Sequence, residues 1–451
     1  MTLRPHLTWA LAAVLLVGCG GETAEPAGSA DPAPAAGASD AATPAETATS
    51  GAAETAESDA PAQPPADPDL VSPPGFHAAV FHEGVGAGAR HLVVRDNGDV
   101  LVALRSGSLV ALRDADGDGR AERSERRTLP ITTGLGLHDG HLYFSDDVSV
   151  HRLPLGDALL PAGEPELVVG GFPQQGSHAA KTLAFDAAGN LYVNVGAPSN
   201  ACQAESRTPG SPGQQPCPQL ERQAAIWKFP AGATGLDQSD GERYVTGTRN
   251  VIAMDWHAGA GALYFAMHGR DQLNTLWPEY FDDEDNAEMP AEEFHRAEAG
   301  ADYGWPYTFY DPRSGRRLMA PEYGGDGEQT APEGRYREPL HAFPAHWAPN
   351  DLAFYDGGMF PQRYRGGAFI AWRGSWNRAP LPQAGYRVTF LPFADGAPAG
   401  APEDFLTGFM GADEIAQPSA ARYRPMGLAV GPDGALFVGE TESGRIWRVS
   451  Y

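Results

Sequence analysis

The strongest constraint on the fold of this chain is one hairpin-like phrase that recurs along it. In each copy, two short apolar runs flank a turn rich in Asp, Asn and Gly, a pattern typical of β-hairpins. The copies lie at 92–103, 183–193 and 428–438, with weaker ones at 137–144, 252–265 and 352–370. No long amphipathic helix separates them. The sequence therefore predicts an all-β fold built from one repeated unit.

The repeat predicts a six-bladed β-propeller. A small sheet cannot bury both faces alone, whereas sheets packed in a ring cover both faces and expose only short edges. A missed copy would make seven blades, and a β-sandwich is the alternative that the repeating phrase disfavours. The long insertions at 197–222, 271–304 and 310–339 are then loops on the faces of the ring, where ligand sites lie.

The first nineteen residues predict secretion and lipid attachment. Arg4 and His6 precede a largely apolar run, 7–17, which is too short for a permanent membrane-spanning helix and is typical of a signal peptide, 1–18. The Leu-Val-Gly-Cys run at 16–19 resembles the bacterial lipobox, so we expect lipid on Cys19. A plain secretory signal is the alternative. Gly20 is not the aspartate that retains such proteins at the inner membrane, which favours an outer-membrane anchor on the periplasmic side.

Composition divides the rest of the chain into a linker and a folded domain. Residues 19–70 are rich in Ala, Pro, Glu, Thr and Ser and almost lack large apolar side chains, so we expect them to be disordered. Residues 71–451 form the predicted propeller. The formal net charge of −26 and the absence of any basic stripe argue against nucleic acid as a partner.

Two cysteines remain after Cys19, namely Cys202 and Cys217. In an oxidising compartment, two thiols one loop apart indicate a disulfide rather than metal ligands or a catalytic thiol. Closing that Pro- and Gly-rich loop constrains the unfolded chain by about 3 kcal/mol in the entropic treatment.

An acidic segment matches the spacing of an EF-hand loop, with Gly119 at the sixth position for the turn. Its candidate calcium ligands are Asp114, Asp116, Asp118, Arg120 and Glu125. The flanking segments are strands rather than helices. A polar turn without an ion is therefore the alternative.

Clusters of His, Arg, Asn and Trp stand at the ends of the hairpins. They lie at 176–181, 248–250, 268–271, 303–307, 344–347, 374–378 and 422–425. In a propeller the ends of the innermost strands converge on the central channel, so we expect these side chains to meet in one pocket.

In this order, the clusters resemble the glucose/sorbosone dehydrogenase family of six-bladed quinoprotein propellers. The resemblance covers about 73–451 and is most specific at the hairpin after His178, at 248–250, at 303–306, at 374–378 and at the last hairpin. It is closer to the sorbosone and pyranose dehydrogenase branch, because no Gly-Pro follows His268 and Arg373 stands where relatives often have His.

The resemblance implies oxidation of a sugar, or of a related alcohol or aldehyde, by hydride transfer to pyrroloquinoline quinone (PQQ). His178 matches the family's general base, and calcium bridges cofactor and protein through the segment of Gly269, Arg270 and Asp271. The implied cofactor contacts are Lys181, Arg249, Asn250, Arg422 and Arg424, and the implied substrate contacts are Trp305, His346 and Trp376. Arginine suits the three carboxylates of PQQ because it binds carboxylates through two hydrogen bonds.

Three functional hypotheses follow. The first is a quinoprotein sugar dehydrogenase, whose electrons pass to an external quinone or cytochrome because the sequence has no C-x-x-C-H haem motif. The second is a calcium-dependent lactonase-type hydrolase, which would need several Asp, Glu and Asn side chains on one metal. The third is a non-catalytic propeller that binds a glycan or a protein.

Overall fold

The recurring hairpins form the two inner strands of six antiparallel sheets. The structure, a computed structural model, describes residues 63–451, so the predicted signal peptide, Cys19 and most of the predicted linker lie outside the described residues. Each predicted copy falls on the first two strands of one sheet, and the predicted all-β six-bladed propeller is confirmed. The sheets are numbered here as blades 1–6 in chain order of their innermost strands.

Four strands, innermost first, make up each blade, and blade 2 gains a fifth, parallel strand. Blade 1 has strands Ala89–Val94, Val100–Leu104, Ser108–Arg113 and Arg123–Thr128. Blade 2 has Leu135–His138, His141–Ser145, Val150–Pro154, Glu166–Gly170 and the parallel Leu236–Asp237. Blade 3 has Leu183–Phe185, Asn190–Val195, Ala225–Pro230 and Glu242–Thr246.

The second half of the ring repeats this plan. Blade 4 has Ala253–His257, Ala262–Met267, Glu292–Arg296 and His341–Phe343, and blade 5 has Pro349–Phe354, Ala368–Trp372, Arg387–Leu391 and Glu403–Leu406. Blade 6 has Pro425–Val430, Leu436–Glu440, Ile446–Ser450 and His77–His82. Because His77–His82 pairs antiparallel with Ile446–Ser450, the two ends of the domain close the ring within one sheet.

The remaining elements are short and lie in the insertions and turns. Two small hairpins pair Thr308–Asp311 with Arg316–Met319, and Phe393–Ala394 with Ala397–Pro398. The α-helices are Leu273–Leu276 and Asp283–Glu288, and the 3₁₀ turns are Pro218–Glu221, Gln238–Asp240, Pro321–Tyr323, Gln362–Tyr364 and Pro418–Ala420. Within residues 63–451, no helix is long and apolar enough to cross a membrane.

The core is divided among the interfaces between neighbouring blades. The innermost strand of each blade contacts that of the next all the way round, which closes the ring. Between blades 4 and 5, for example, Tyr264 and Phe294 pack with Ile370 and Trp372. Each sheet thus buries both faces, which the repeated hairpins require.

The predicted disulfide between Cys202 and Cys217 is confirmed. Both cysteines are buried and pack with Ala197, Ala224 and Trp305 in a small apolar cluster beside blade 3. The bridge therefore fastens the 197–222 insertion at the edge of the channel.

Candidate functional site

A cavity of about 330 Å³ lies at one end of the central channel. Residues at or near the starts of five innermost strands line it, namely Arg90, Thr133, Ala180, Ile252 and Asn350. Because every blade begins with its innermost strand, side chains far apart in the sequence meet at this end of the ring. The predicted convergence is confirmed for five of the seven sequence clusters, whereas no residue of 303–307 or 422–425 lines the cavity.

Seven residues that the sequence analysis selected line the cavity. They are His178, Arg249, Asn250, Gly269, Asp271, His346 and Trp376. Trp376 is 51% exposed, whereas Arg249 and His346 are buried. The structure thus brings the candidate base, two candidate cofactor contacts and two candidate substrate contacts together.

His178 is a neutral imidazole with a defined tautomer. Its Nδ1 lies 2.7 Å from the carbonyl oxygen of Ala197, and a carbonyl can only accept, so Nδ1 carries the proton. Burial, and next the positive charge of Arg249, lower the pKa of His178 to about 3. Nε2 therefore keeps its lone pair at neutral pH, as a general base requires.

Gly196 allows His178 and Asn250 to pack closely against it. A Cβ atom at Gly196 would lie 2.7 Å from the Cβ of His178 and 2.9 Å from the Oδ1 of Asn250. Both distances are shorter than a normal van der Waals contact. A side chain at this position would therefore displace the base.

Arg249 and Asp271 form a buried ion pair in the cavity wall, with Nη2 2.8 Å from Oδ2. Arg249 also donates to the Gly269 carbonyl at 2.8 Å and to the side-chain and main-chain oxygens of Asn200. Burial alone would raise the pKa of Asp271, but Arg249 and other nearby positive groups lower it to about 2. Four of the five guanidinium N–H groups are thus committed to protein acceptors, which leaves at most one for a ligand.

Three arginines that the sequence analysis did not select as cofactor contacts also line the cavity, namely Arg90, Arg105 and Arg373. Within residues 63–451, Arg90 and Arg105 form no ion pair, and Arg373 reaches Glu442 only at 3.5 Å. Burial, and next the charge of Arg373, lower the pKa of Arg90 to about 9. Burial, and next the charge of Arg424, lower the pKa of Arg373 to about 10. The cavity therefore holds excess positive charge that an anionic ligand would neutralise.

Glu292 also lines the cavity and carried no sequence signal. Its carboxyl accepts from the backbone N–H groups of Gly269 at 2.8 Å and Ala348 at 3.1 Å, so it joins blade 4 to the loop before blade 5. Burial raises the pKa of Glu292 to about 8. Glu292 begins a strand and belongs to no recognisable motif, so only the tertiary structure identifies it.

Two predicted cofactor contacts lie behind the cavity wall instead. Lys181 is fully buried, donates to the Ala179 carbonyl and has its pKa lowered by burial to about 8. Arg424 donates to the main-chain carbonyls of Arg373 at 3.1 Å and Gly374 at 2.9 Å. Their cationic groups donate to backbone oxygens, and neither residue lines the cavity, so they support its wall.

Three further predicted residues lie outside the cavity. Arg422 is on the surface and pairs with Asp69, because its neighbour Tyr423 is the residue that packs inward. Arg270 is buried against Glu322, with Nη2 2.8 Å from Oε1. Trp305 is buried beside the disulfide rather than in the cavity.

The EF-hand-like loop differs from the prediction at its twelfth position. Oxygens of Asp114, Asp116, Asp118 and Glu122 lie within 4.8 Å of one another. Glu125 is instead in the outer strand of blade 1 and contacts Arg123 at 3.0 Å. The strand Arg123–Thr128 follows the loop where an EF-hand has a helix, and it carries the twelfth residue away from the other carboxylates.

Arg120, the seventh residue of the same loop, was also a candidate calcium ligand. Its main-chain N–H donates to Asp118 at 2.7 Å, and its side chain reaches Glu83 at 3.4 Å. In the part of the chain that the structure describes, this loop holds the one set of three or more His, Cys, Asp or Glu residues close enough to share a metal.

Comparison with known proteins identifies the family of the folded domain. Residues 70–451 match the TrAA12-like family. An uncharacterized protein of Borreliella burgdorferi is 30% identical over 207 residues, which are 46% of this chain and 48% of that protein. The chain therefore matches about half the length of that curated relative.

Solved structures share the propeller over most of its length. The holo PQQ domain of pyranose dehydrogenase from Coprinopsis cinerea is 19% identical with a TM-score of 0.67, covering 86% of this chain and 98% of that one. The calcium structure of a family AA12 carbohydrate-active enzyme from Trichoderma reesei is 18% identical with a TM-score of 0.67, covering 86% and 98%. The apo form of soluble aldose sugar dehydrogenase from Escherichia coli is 18% identical with a TM-score of 0.52, covering 83% and 99%.

These likenesses agree with the six-bladed fold, and the family match covers nearly all of the described residues. The resemblance inferred from the sequence clusters is confirmed at the level of the family. The chain belongs to the TrAA12-like family.

Proposed function

We propose that this protein oxidises a sugar, or a related alcohol or aldehyde, with PQQ held in the cavity at the end of the channel. The observation that carries the proposal is that one cavity holds His178, a neutral base, and three arginines, of which only Arg373 has a carboxylate partner in the described part of the chain, Glu442 at 3.5 Å. Two of the similar structures are named for dehydrogenation of pyranose and aldose sugars, and one of these is described as a PQQ domain.

The residues of the cavity fit a polyanionic cofactor. Arg90, Arg105 and Arg373 repel one another, and burial depresses the pKa of Arg90 and Arg373. A ligand with three carboxylates would relieve this repulsion through charge-assisted hydrogen bonds. Asn250 adds a buried Oδ1 that has no hydrogen-bond partner among residues 63–451, so it can accept from a bound group. We assign cofactor binding to these four residues.

The cavity also supplies what hydride abstraction from an alcohol requires. When bound, PQQ provides an electrophilic quinone carbonyl that accepts the hydride. His178 removes the hydroxyl proton at Nε2 while Ala197 holds Nδ1–H, so the ring does not need to change tautomer. Trp376 offers an exposed aromatic face at the cavity for the sugar ring, and His346 provides a polar contact deeper in the wall.

The residues that the family resemblance assigns to calcium fit that ion less well than the cavity fits PQQ. The Gly269 carbonyl and the Asp271 carboxylate both accept from Arg249, whose positive charge opposes a dication at this place. The arginine is itself buried, so its charge is poorly screened. No step is therefore assigned to calcium.

We further propose that a lipid on Cys19 anchors the protein in the outer membrane, with the propeller in the periplasm. The lipobox-like run at 16–19 and the linker composition support this location. An external quinone or cytochrome accepts the electrons, because the sequence has no site for covalent haem.

The test is to titrate purified apoprotein with PQQ and follow the quinone absorbance, with and without Ca²⁺. The loaded protein is then mixed with a redox dye and a panel of aldoses, ketoses and simple alcohols. Saturable binding and substrate-dependent dye reduction are expected. Absence of PQQ binding would overturn the proposal. Binding of sugars without any dye reduction would show a glycan-binding propeller instead.

A further inference from the structure

We propose that Asn200, held beside the Cys202–Cys217 disulfide, is a positioning residue that fixes Arg249 and Asp271 in the cavity wall. The inference rests on the proposed function, since it concerns how the PQQ cavity is kept in shape. Asn200 lies in an insertion without periodicity and does not line the cavity. It acts through its two neighbours.

Asn200 binds the backbone of Asp271 from both sides. Its Nδ2 donates to the Asp271 carbonyl at 2.8 Å, and its Oδ1 accepts from the Asp271 N–H at 2.9 Å. This reciprocal pair imitates one rung of a β-ladder in a place where no strand exists. It sets the path of the chain just after blade 4's second strand, where the Gly269 carbonyl and the Asp271 carboxylate both meet Arg249.

Asn200 also binds the guanidinium of Arg249. Its Oδ1 accepts from Nη2 at 3.1 Å, and its main-chain carbonyl accepts from Nε at 3.3 Å. The side chain is 2% exposed, so water cannot replace these contacts. Asn200 thus binds both residues of a buried ion pair, and such pairs depend on additional hydrogen bonds that hold their geometry.

The segment 197–202 connects this arrangement to the candidate base and to the disulfide. At its start, the Ala197 carbonyl accepts from His178, and the Ala197 N–H donates to the Arg249 carbonyl at 2.7 Å. At its end, the Cys202 N–H donates to Ser199 Oγ at 3.0 Å, and Cys202 is bonded to Cys217. Six residues therefore contact the base and the ion pair, and the disulfide anchors them.

The test compares Asn200→Ala with Gln238→Ala. Gln238 is a matched control because it is equally buried, accepts from Arg222 Nε at 3.0 Å and donates to the Arg222 carbonyl at 2.7 Å, outside the cavity. Hydrogen exchange of the peptide that contains 268–272 is measured without cofactor, and PQQ affinity is measured by absorbance titration. Asn200→Ala should speed exchange in that peptide and raise the PQQ Kd, each by roughly tenfold or more. Gln238→Ala should change neither.

A second variant keeps the inference testable if Asn200→Ala misfolds. Replacing Cys202 and Cys217 together by Ser leaves Asn200 in place and should speed exchange of 268–272 by a smaller factor, with intact circular dichroism. Unchanged exchange in Asn200→Ala would overturn the positioning role, whether or not PQQ binds. Failure of the wild-type protein to bind PQQ, with faster exchange in Asn200→Ala, would overturn the proposed function and leave the positioning role standing.

Discussion

The Nδ1 atom of His178 lies 2.7 Å from the carbonyl oxygen of Ala197, and this contact determines which imidazole nitrogen can act as a base. His178 has φ of +53°, in the left-handed region that non-glycine residues rarely adopt. Backbone conformations of this kind are retained where the surrounding structure enforces them, often at functional sites. Here the surrounding structure includes Gly196, whose missing side chain leaves room for the Cβ and the carbonyl oxygen of His178.

Removal of the base should separate catalysis from cofactor binding. His178→Ala and His178→Gln are expected to lower kcat by about 10²–10⁴-fold, the usual contribution of a general base, with the PQQ Kd changed less than about threefold. Dye-reduction kinetics and an absorbance titration measure the two quantities. Parallel loss of PQQ binding in both variants would show that His178 holds the cofactor instead.

His178 should titrate far below the usual histidine range in the cofactor-free protein. Because burial and Arg249 lower the pKa of His178 to about 3, the imidazole is already unprotonated above about pH 4. NMR of the imidazole, recorded without cofactor and within the pH range where circular dichroism is unchanged, should therefore show no His178 transition near 6.5. A transition centred there that disappears in His178→Gln would contradict this geometry.

The cavity arginines should govern cofactor affinity. Arg90→Ala and Arg373→Ala should each raise the PQQ Kd by about 10–100-fold, because a hydrogen bond to a charged group contributes about 1.5–3 kcal/mol. Arg363→Ala is the control, since Arg363 is exposed and pairs with Glu403 on blade 5. Equal affinity in all three variants would rule out the carboxylate contacts proposed here.

A single methyl group beside the base should impair turnover. In Gly196→Ala the new Cβ would lie 2.7 Å from the Cβ of His178 and 2.8 Å from its carbonyl oxygen, so the base must move. Misplacement of a catalytic group by about 1 Å costs on the order of 10²-fold in kcat. Gly232→Ala serves as the control, because a Cβ there meets nothing within 4 Å. If Gly196→Ala matches wild-type kcat, the close packing around His178 is not needed for catalysis.

Stability should depend on pH through a carboxyl in the central channel. Asp255 lines a second cavity of about 320 Å³ along the innermost strands and accepts from the Phe354 N–H at 2.9 Å, which joins blade 4 to blade 5. Burial raises its pKa to about 7. At pH values between the ordinary pKa range of an aspartate and 7, Asp255 is protonated in the folded state and ionised in the unfolded state. The stability that this bound proton gives the folded state is therefore lost as the pH rises through 7.

Replacing this carboxyl removes its titration. Asp255→Asn should lower the Tm at pH 5, where it loses an acceptor for a backbone N–H, but should reduce the drop in Tm between pH 5 and 8. Thermal unfolding at several pH values measures both. An unchanged slope in Asp255→Asn would show that Asp255 does not titrate in this range.

The Asp- and Gly-rich turns and alternating apolar runs determined the fold class by themselves. Each hairpin is local, so its signal is contained in about a dozen consecutive residues, and its repetition requires a ring that buries both faces of every sheet. The cysteine pair and the position of His178 before its hairpin could be predicted for the same reason, because their signals are also local in the sequence. Arg249 and Asp271 were also found, since they stand directly before and after a recognisable hairpin.

Only the tertiary structure decided which cationic and amide side chains serve the cavity. Arg422 and Arg424 flank one tyrosine, yet one pairs with Asp69 on the surface and the other with main-chain carbonyls behind the wall. Arg90 and Arg105 line the cavity because blade 1 turns these positions toward the channel once the ring closes. Asn200 lies in an insertion with no periodic pattern, so its role follows from contacts with residues 49 and 71 positions away. Sequence pattern specifies local geometry, whereas charge partners and burial depend on the closure of the whole ring.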